Sequence, residues 1–332
     1  MKINLSSKYL LRKMGILFFF LMGFALLADK QIVNSKKYVS LLGVGMDVDW
    51  MKTGQGMKYY DKQTVKDFKK IGLSHVRIRM KDKLSKDKLE LLDKIVQDCL
   101  DNKLIPILAY QGNQFKTNPN EKTLNEVVEW WKVISERYKG YDPLLSFDII
   151  IEVTDKLNKD PEILNQLYAR AVKEIRKTNP SRFIFLSPRL RSSPENLKEL
   201  KIPVGHNDSV LAEWHFYAAG PSKKNENKLW TTGTEKEKDL IREKIQYAMD
   251  WQKETGLFSW VGAWMPGNYN DGNDYDVSEQ VIFARFVSCE LKKNKIPHAV
   301  NSDTKFYDRK QKKWNEKMKP VLEAILNPKQ CK

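Results

Sequence analysis

The chain has 332 residues, of which 41% are hydrophobic, 30% charged and 11% aromatic. That balance excludes wholesale disorder, a collagen-like chain and a multi-span membrane protein. The length suits two average domains or one large α/β barrel of about 250 residues or more. The formal net charge is +16, yet 46 of the 58 basic residues are lysines, interleaved with acids as in KDKLSKDKLELLDK (81–94). Nucleic-acid sites favour arginine for bidentate contacts. The excess therefore reads as a solvated lysine face, and no nucleic-acid partner is expected.

In chain order, the first element is a targeting segment. Lys2, Lys8, Arg12 and Lys13 precede fifteen uncharged, mostly apolar residues, Met14 to Ala28, and the first acid is Asp29. A basic region, a short apolar stretch and a small-residue exit make the pattern of a secretory signal peptide over residues 1–28, cut after Ala25 or Ala28. The stretch is shorter than the ~20 residues of a spanning helix, with an uncleaved N-terminal membrane anchor as the alternative. Export to the periplasm or beyond is the expectation, and the rest of the chain then carries +12 of the +16.

From there, short apolar runs alternate with longer amphipathic stretches. Strands are expected at Leu42–Val48, His75–Met80, Ile105–Gln111, Leu144–Val153, Arg182–Ser187, Val210–Tyr217, Phe258–Trp264 and Ile296–Asn301. Between and after them, helices are expected at Asp61–Ile71, Asp87–Asn102, Glu121–Tyr138, Pro161–Thr178, Pro194–Leu200, Glu235–Thr255, Ser278–Asn294 and Glu316–Leu326. Eight strand–helix units imply a parallel sheet clad in helices and, by their number, a single closed (β/α)8 TIM barrel. No Pro/Gly/Ser-rich linker divides residues 29–332, which read as one domain. An open doubly wound sheet is the runner-up, but no GxGxxG follows the first strand. Cys99, Cys289 and Cys331 make an odd count that leaves room for one disulfide without naming it.

Polar residues late in buried strands carry the functional signal, because barrel sites form at the strands' C-terminal ends. Asp148, Ile150 and Glu152 share a face of the fourth strand, and an acid there is costly unless paired or used. Glu213, His215 and Tyr217 share a face of the sixth strand, an acid–imidazole–phenol row suited to a hydroxyl-rich ligand. Arg77 and Arg79 share a face of the second strand, and Asp47 and Asp49 end the first. Trp50, Tyr110, Trp264 and Tyr269 lie near strand ends, where aromatic faces stack on sugars. No phosphate loop, GxSxG elbow, HExxH or metal-ligand spacing is present, so no metal or organic cofactor is expected.

These segments resemble glycoside hydrolase family 5, the cellulase-like enzymes, from about Gly43 to Tyr307. FKKIGLSHVRIRM (68–80) is similar to the family's helix-one and strand-two segment, with Arg77 at its arginine. SFDIIIEVTD (146–155) resembles the strand-four motif and puts Glu152 on the acid/base glutamate. EWHFYAAG (213–220) resembles the strand-six motif with His215 and Tyr217, and WVGAWMPG (260–267) the GEFG-like strand-seven motif. Three positions depart from the pattern. Ile151 replaces the Asn before the acid/base, Gln111 stands where a His usually follows strand three, and Ala263 stands where the nucleophilic Glu is expected. The resemblance implies a (β/α)8 fold and a retaining hydrolase of β-linked glycans.

Three readings follow. The first is a glycosidase with Glu152 as acid, its pKa raised by Ile150 and Ile151, and Glu213 as a relocated second carboxylate. Arg77, Gln111, His215, Tyr217, Trp264 and Trp50 would then support the substrate. The second is a carbohydrate-binding barrel that does not cleave. The third, a polyanion binder, would require a contiguous basic patch. The partner expected is a glycan, with no stable protein partner.

Overall fold

The computed structural model describes residues 33–81, 84–205, 207–217, 230–267, 275–328 and 331. The expected signal segment lies outside them, as do Tyr269 and most of the polar stretch after the seventh strand. Asn34 onward forms one compact unit.

Eight parallel strands close into a barrel in sequential order: β1 (Val44–Met51), β2 (His75–Met80), β3 (Ile105–Tyr110), β4 (Ser146–Asp148), β5 (Phe183–Leu186), β6 (Val210–Tyr217), β7 (Ser259–Met265) and β8 (His298–Asn301). β8 pairs back onto β1, Val300 opposite Met46 and Asn301 opposite Asp47, so no edge remains. The strands are Val-, Ile-, Phe- and Trp-rich and buried on both faces, as parallel strands under helices must be.

The cladding helices begin where capping chemistry dictates. Lys62–Ile71 starts after Asp61, whose carboxylate accepts from the Gln63 amide, and stops at left-handed Gly72. Glu121–Arg137 opens with a reciprocal Asn120–Thr123 capping box, and Glu235–Thr255 with Thr234–Glu237. Pro161–Arg176 has proline in its first turn, where no amide donor is missed. Val277–Lys293 packs on Lys319–Leu326, and the Cys289–Cys331 disulfide ties the chain's end to that layer. A loop of 42 residues closed this way contributes about 4 kcal/mol in the chain-entropy picture. Cys99 is a buried free thiol.

Besides several short helices and a two-stranded pair near the C-terminus, two larger features escaped the periodicity. A helix, Ser35–Leu42, precedes β1 and plugs the barrel's N-terminal end. Its Tyr38 stacks on Phe183 at 3.9 Å and its hydroxyl meets Ser146 at the start of β4. The fourth strand is also far shorter than the apolar run 144–153 suggested. It ends at Asp148, and the chain then turns, with Glu152 in the left-handed region at φ 47°. Apolar character persists past the strand because Ile149, Ile150 and Ile151 are still buried. Buriedness and extended conformation are different properties, and only the first is written in the run.

Candidate active site at the barrel mouth

The barrel's centre is charged. Arg77 on β2 is 1% exposed and lies between carboxylates from three other strands. It grips Asp47 of β1 with two bonds, Nε–Oδ1 at 2.9 Å and Nη2–Oδ2 at 3.1 Å. Its Nη1 reaches Glu213 Oε1 at 2.5 Å and Asp148 Oδ2 at 3.5 Å. Arg79, two residues on and on the same face, also meets Asp47, at 3.4 Å. The guanidinium fork suits this work because it holds planar carboxylates in fixed geometry.

Glu213 is fully buried. Its other oxygen accepts a bond from the Ser187 hydroxyl at 2.5 Å, and His215 Nε2 contacts Oε1. Space for this carboxylate comes from β7. The β6–β7 register pairs Trp214 with Val261 and His215 with Ala263, skipping Gly262. A side chain at 262 would collide with the Glu213 carboxylate, so the bulge needs glycine.

His215 links the buried layer to the mouth. Its Nδ1 lies 3.3 Å from Glu152 Oε1, and the Tyr217 hydroxyl donates to that same oxygen at 2.9 Å. The β6 row expected from the sequence thus converges with Glu152, though by a turn after β4 and not by strand alternation. The Glu152 side chain is 29% exposed and the Glu213 side chain 0%. Of the two acids flanking His215, only Glu152 is open to a ligand.

Burial alone would push the Glu152 carboxyl upward. The hydrogen bond and charge of His215, then the Tyr217 hydroxyl and Arg77, overcome it and hold Glu152 well below the usual carboxylate range. The expected upward shift from Ile150 and Ile151 is therefore reversed in the free protein. Burial, and the Arg77 guanidinium 3.0 Å from Nε2, would discharge His215, but the Glu213 charge and the bonds to Glu152 and Glu213 raise it to about 9. For Glu213, burial pushes up while His215, Arg77 and Ser187 pull it down, so it stays charged. Asp148 is the acid left neutral. Burial and the neighbouring Glu213 charge raise it well above its ordinary value.

The remaining expected residues divide. Gln111 follows β3, half-buried, with its amide bonded to the Met80 carbonyl. Asp49 pairs with Arg309 from beyond β8. Trp264 and Trp50 are 0% exposed and offer no face to a sugar. Trp264 turns outward onto Phe283 and donates to His298, while Trp50 packs on Tyr60 and Phe68 and donates to Asp303. Both fill the layer between barrel and helices because strand alternation sends them away from the lumen. Tyr110 stacks on Trp130 of the neighbouring helix at 4.2 Å. Ala263 is completely buried beside His215. Sequence reasoning missed Lys52, after β1, and Lys116, in the short helix Asn113–Thr117 after β3. Both lie within electrostatic reach of Glu152. Neither belongs to a motif, so only the fold reveals them.

The closed (β/α)8 barrel thus brings a carboxylate, an imidazole and a phenol together at its C-terminal mouth, where barrel sites form. Residues 35–326 match the model of the family described as Cellulase (glycosyl hydrolase family 5). The chain belongs to that family. It is 22% identical over 293 residues to Endoglucanase H of Acetivibrio thermocellus, covering 84% of this chain and 31% of that protein. It is 26% identical over 142 residues to Endoglucanase C of the same organism, covering 40% and 39%. The chain thus spans about a third of the length of these curated relatives. Among solved structures, endoglucanase Cel5A of Thermotoga maritima superposes with a TM-score of 0.77 at 21% identity, over 88% of this chain and all of that one. Cellulose synthase subunit Z of Clostridioides difficile gives 0.73 at 20% identity, over 86% and 100%. At such identities the superpositions establish the fold.

The charge network makes stability pH-dependent. His215 has an ordinary value of 6.5 and about 9 in the folded chain. A raised folded value stabilises fully below about pH 6.5, and that stabilisation is lost as pH rises through about 9. Urea unfolding followed by tryptophan fluorescence should lose on the order of 3 kcal/mol between these limits. Glu213→Gln should flatten this slope and lower stability at pH 7 by about 3 kcal/mol, since it leaves buried cations short of a partner.

Proposed function

We propose that the protein is an exported O-glycosyl hydrolase acting on a β-linked polysaccharide or oligosaccharide, with Glu152 as its proton-transferring carboxylate. The observation that carries this reading is the setting of Glu152. It is the acid of the central network that opens to the mouth, and His215 and Tyr217 aim it from below. Hydrolysis needs a proton delivered to the leaving oxygen and a base or nucleophile on the other face of the sugar. Held ionised in the free protein, Glu152 is ready to accept a proton. A sugar seated over it adds to the desolvation that already pushes it upward, moving it toward the neutral form that donates. Glu213, sealed beneath His215, has no path to a sugar ring in this arrangement. Its part is to keep His215 charged, a positioning role exerted through the imidazole.

One observation favours a second reading, in which the barrel binds glycan without cleaving it. β7 presents Ala263 where the family resemblance places a nucleophilic Glu, and no second carboxylate of the central network is exposed. Reducing-sugar release from a panel of β-glucans, mannans and xylans separates the two. A hydrolase should lose at least about 10²-fold in turnover with Glu152→Gln, and Glu213→Gln should shift its pH profile. Calorimetric binding with no release from any substrate in the wild type would establish the binding reading instead.

Export rests on residues 1–28 and is supported by the Cys289–Cys331 disulfide, a bond that persists in oxidising compartments. Mass spectrometry of the protein secreted by its host should find a chain that begins at Leu26 or Asp29. Recovery of residues 1–20 would contradict cleavage.

A further inference from the structure

Among the described residues, two lysines stand at the mouth without counter-ions. Lys116 is 3% exposed, yet among the described residues its ammonium has no hydrogen bond and no carboxylate within ion-pairing distance. Lys52, half-buried after β1, has none either. They lie within electrostatic reach of each other, and both within reach of Glu152. Burial lowers both, Lys116 to about 8.

Two other buried cations among the described residues have their partners within the protein. Arg77 is ringed by acids, and Arg182 donates to the carbonyls of Tyr138, Asp142 and Leu145. Of the acids around the two lysines, Asp148 lies on Arg77 and is held neutral, and the others are already engaged. Asp47 is held by Arg77 and Arg79, Asp49 by Arg309, Glu152 by His215 and Tyr217, and Asp155 accepts from Thr154. An ammonium taken out of water without a partner costs stability, and such groups concentrate where a ligand supplies the missing charge.

We propose that Lys52 and Lys116 form a subsite for an anionic substituent on the sugar, so that the glycan recognised at this mouth is acidic. This rests on the glycan reading above and specifies its substrate class. A ring carboxylate, as in a uronic acid, or a sulfate ester presents the oxygens that two ammonium groups within electrostatic reach of Glu152 would receive. The anion also supplies Lys116 with a partner that no described residue provides.

Isothermal titration calorimetry with three tetrasaccharides tests it: cellotetraose, its counterpart carboxylated at every C6 (β-1,4-linked tetraglucuronate), and 6-O-sulfated cellotetraose. At least one acidic ligand should bind about tenfold or more tighter than the neutral one, a charge-assisted contact's worth. That advantage should shrink with added salt, and should fall about tenfold in Lys116→Gln and in Lys52→Gln while cellotetraose affinity stays unchanged. Which acidic ligand wins names the substituent. Lys116→Met should also melt no lower than the wild type, because it removes a charge on a mostly buried side chain that no described residue pairs. Equal binding of neutral and acidic ligands, or an acidic preference indifferent to both lysines, would overturn the subsite and leave the glycan reading standing. Binding of none of the three would remove both. A lower melting point for Lys116→Met would also count against the proposal, marking the lysine as structural.

Discussion

One buried guanidinium organises this molecule. Arg77 sits at the centre of the barrel, where an unpaired charge would be prohibitively expensive, and its fixed fork draws in Asp47, Glu213 and Asp148 from three other strands. One cation cannot neutralise three carboxylates. The balance is met in two ways, by leaving Asp148 protonated and by charging His215. The charged imidazole then fixes Glu152 at the mouth in its ionised form. The state of the exposed acid thus depends on residues that no ligand touches.

The backbone is shaped around the same constraint. Glycine at 262 and the register skip between β6 and β7 exist in the space that the Glu213 carboxylate fills. The left-handed turn at Glu152 brings its side chain back over His215, which a continued strand would not do. Substituting the buried ion cluster by apolar side chains would satisfy the core, but it would uncouple the mouth from the barrel's interior. Arg77, Glu152, His215 and Tyr217 accordingly form one connected network from the barrel's interior to its mouth.

Much of this was legible in the residues. The alternation of apolar runs with amphipathic stretches located all eight strands, and β2 and β6 have the bounds that their patterns indicated. The period-2 rows put Arg77 with Arg79 and Glu213 with His215 and Tyr217, and each row shares a network in the structure. What periodicity could not show was where buried stops meaning extended, as after Asp148. It also could not show which side of a strand end a tryptophan takes, so Trp50 and Trp264 looked like platforms and are packing. Exposure was equally out of reach. Glu213 and Glu152 read alike as strand-end acids, yet one is sealed and the other open. Lys52 and Lys116 carry no motif and acquire meaning only from what the fold places beside them.

The central claim is that the buried network keeps His215 protonated and, through it, Glu152 ionised. Nitrogen-15 NMR of the His215 imidazole across pH 5 to 10 tests it most directly. The account predicts an imidazolium at pH 7 that titrates near 9, with the Glu213→Gln variant titrating markedly lower. A neutral imidazole at pH 7 in the wild type would contradict it and return Glu152 to the ordinary carboxylate range.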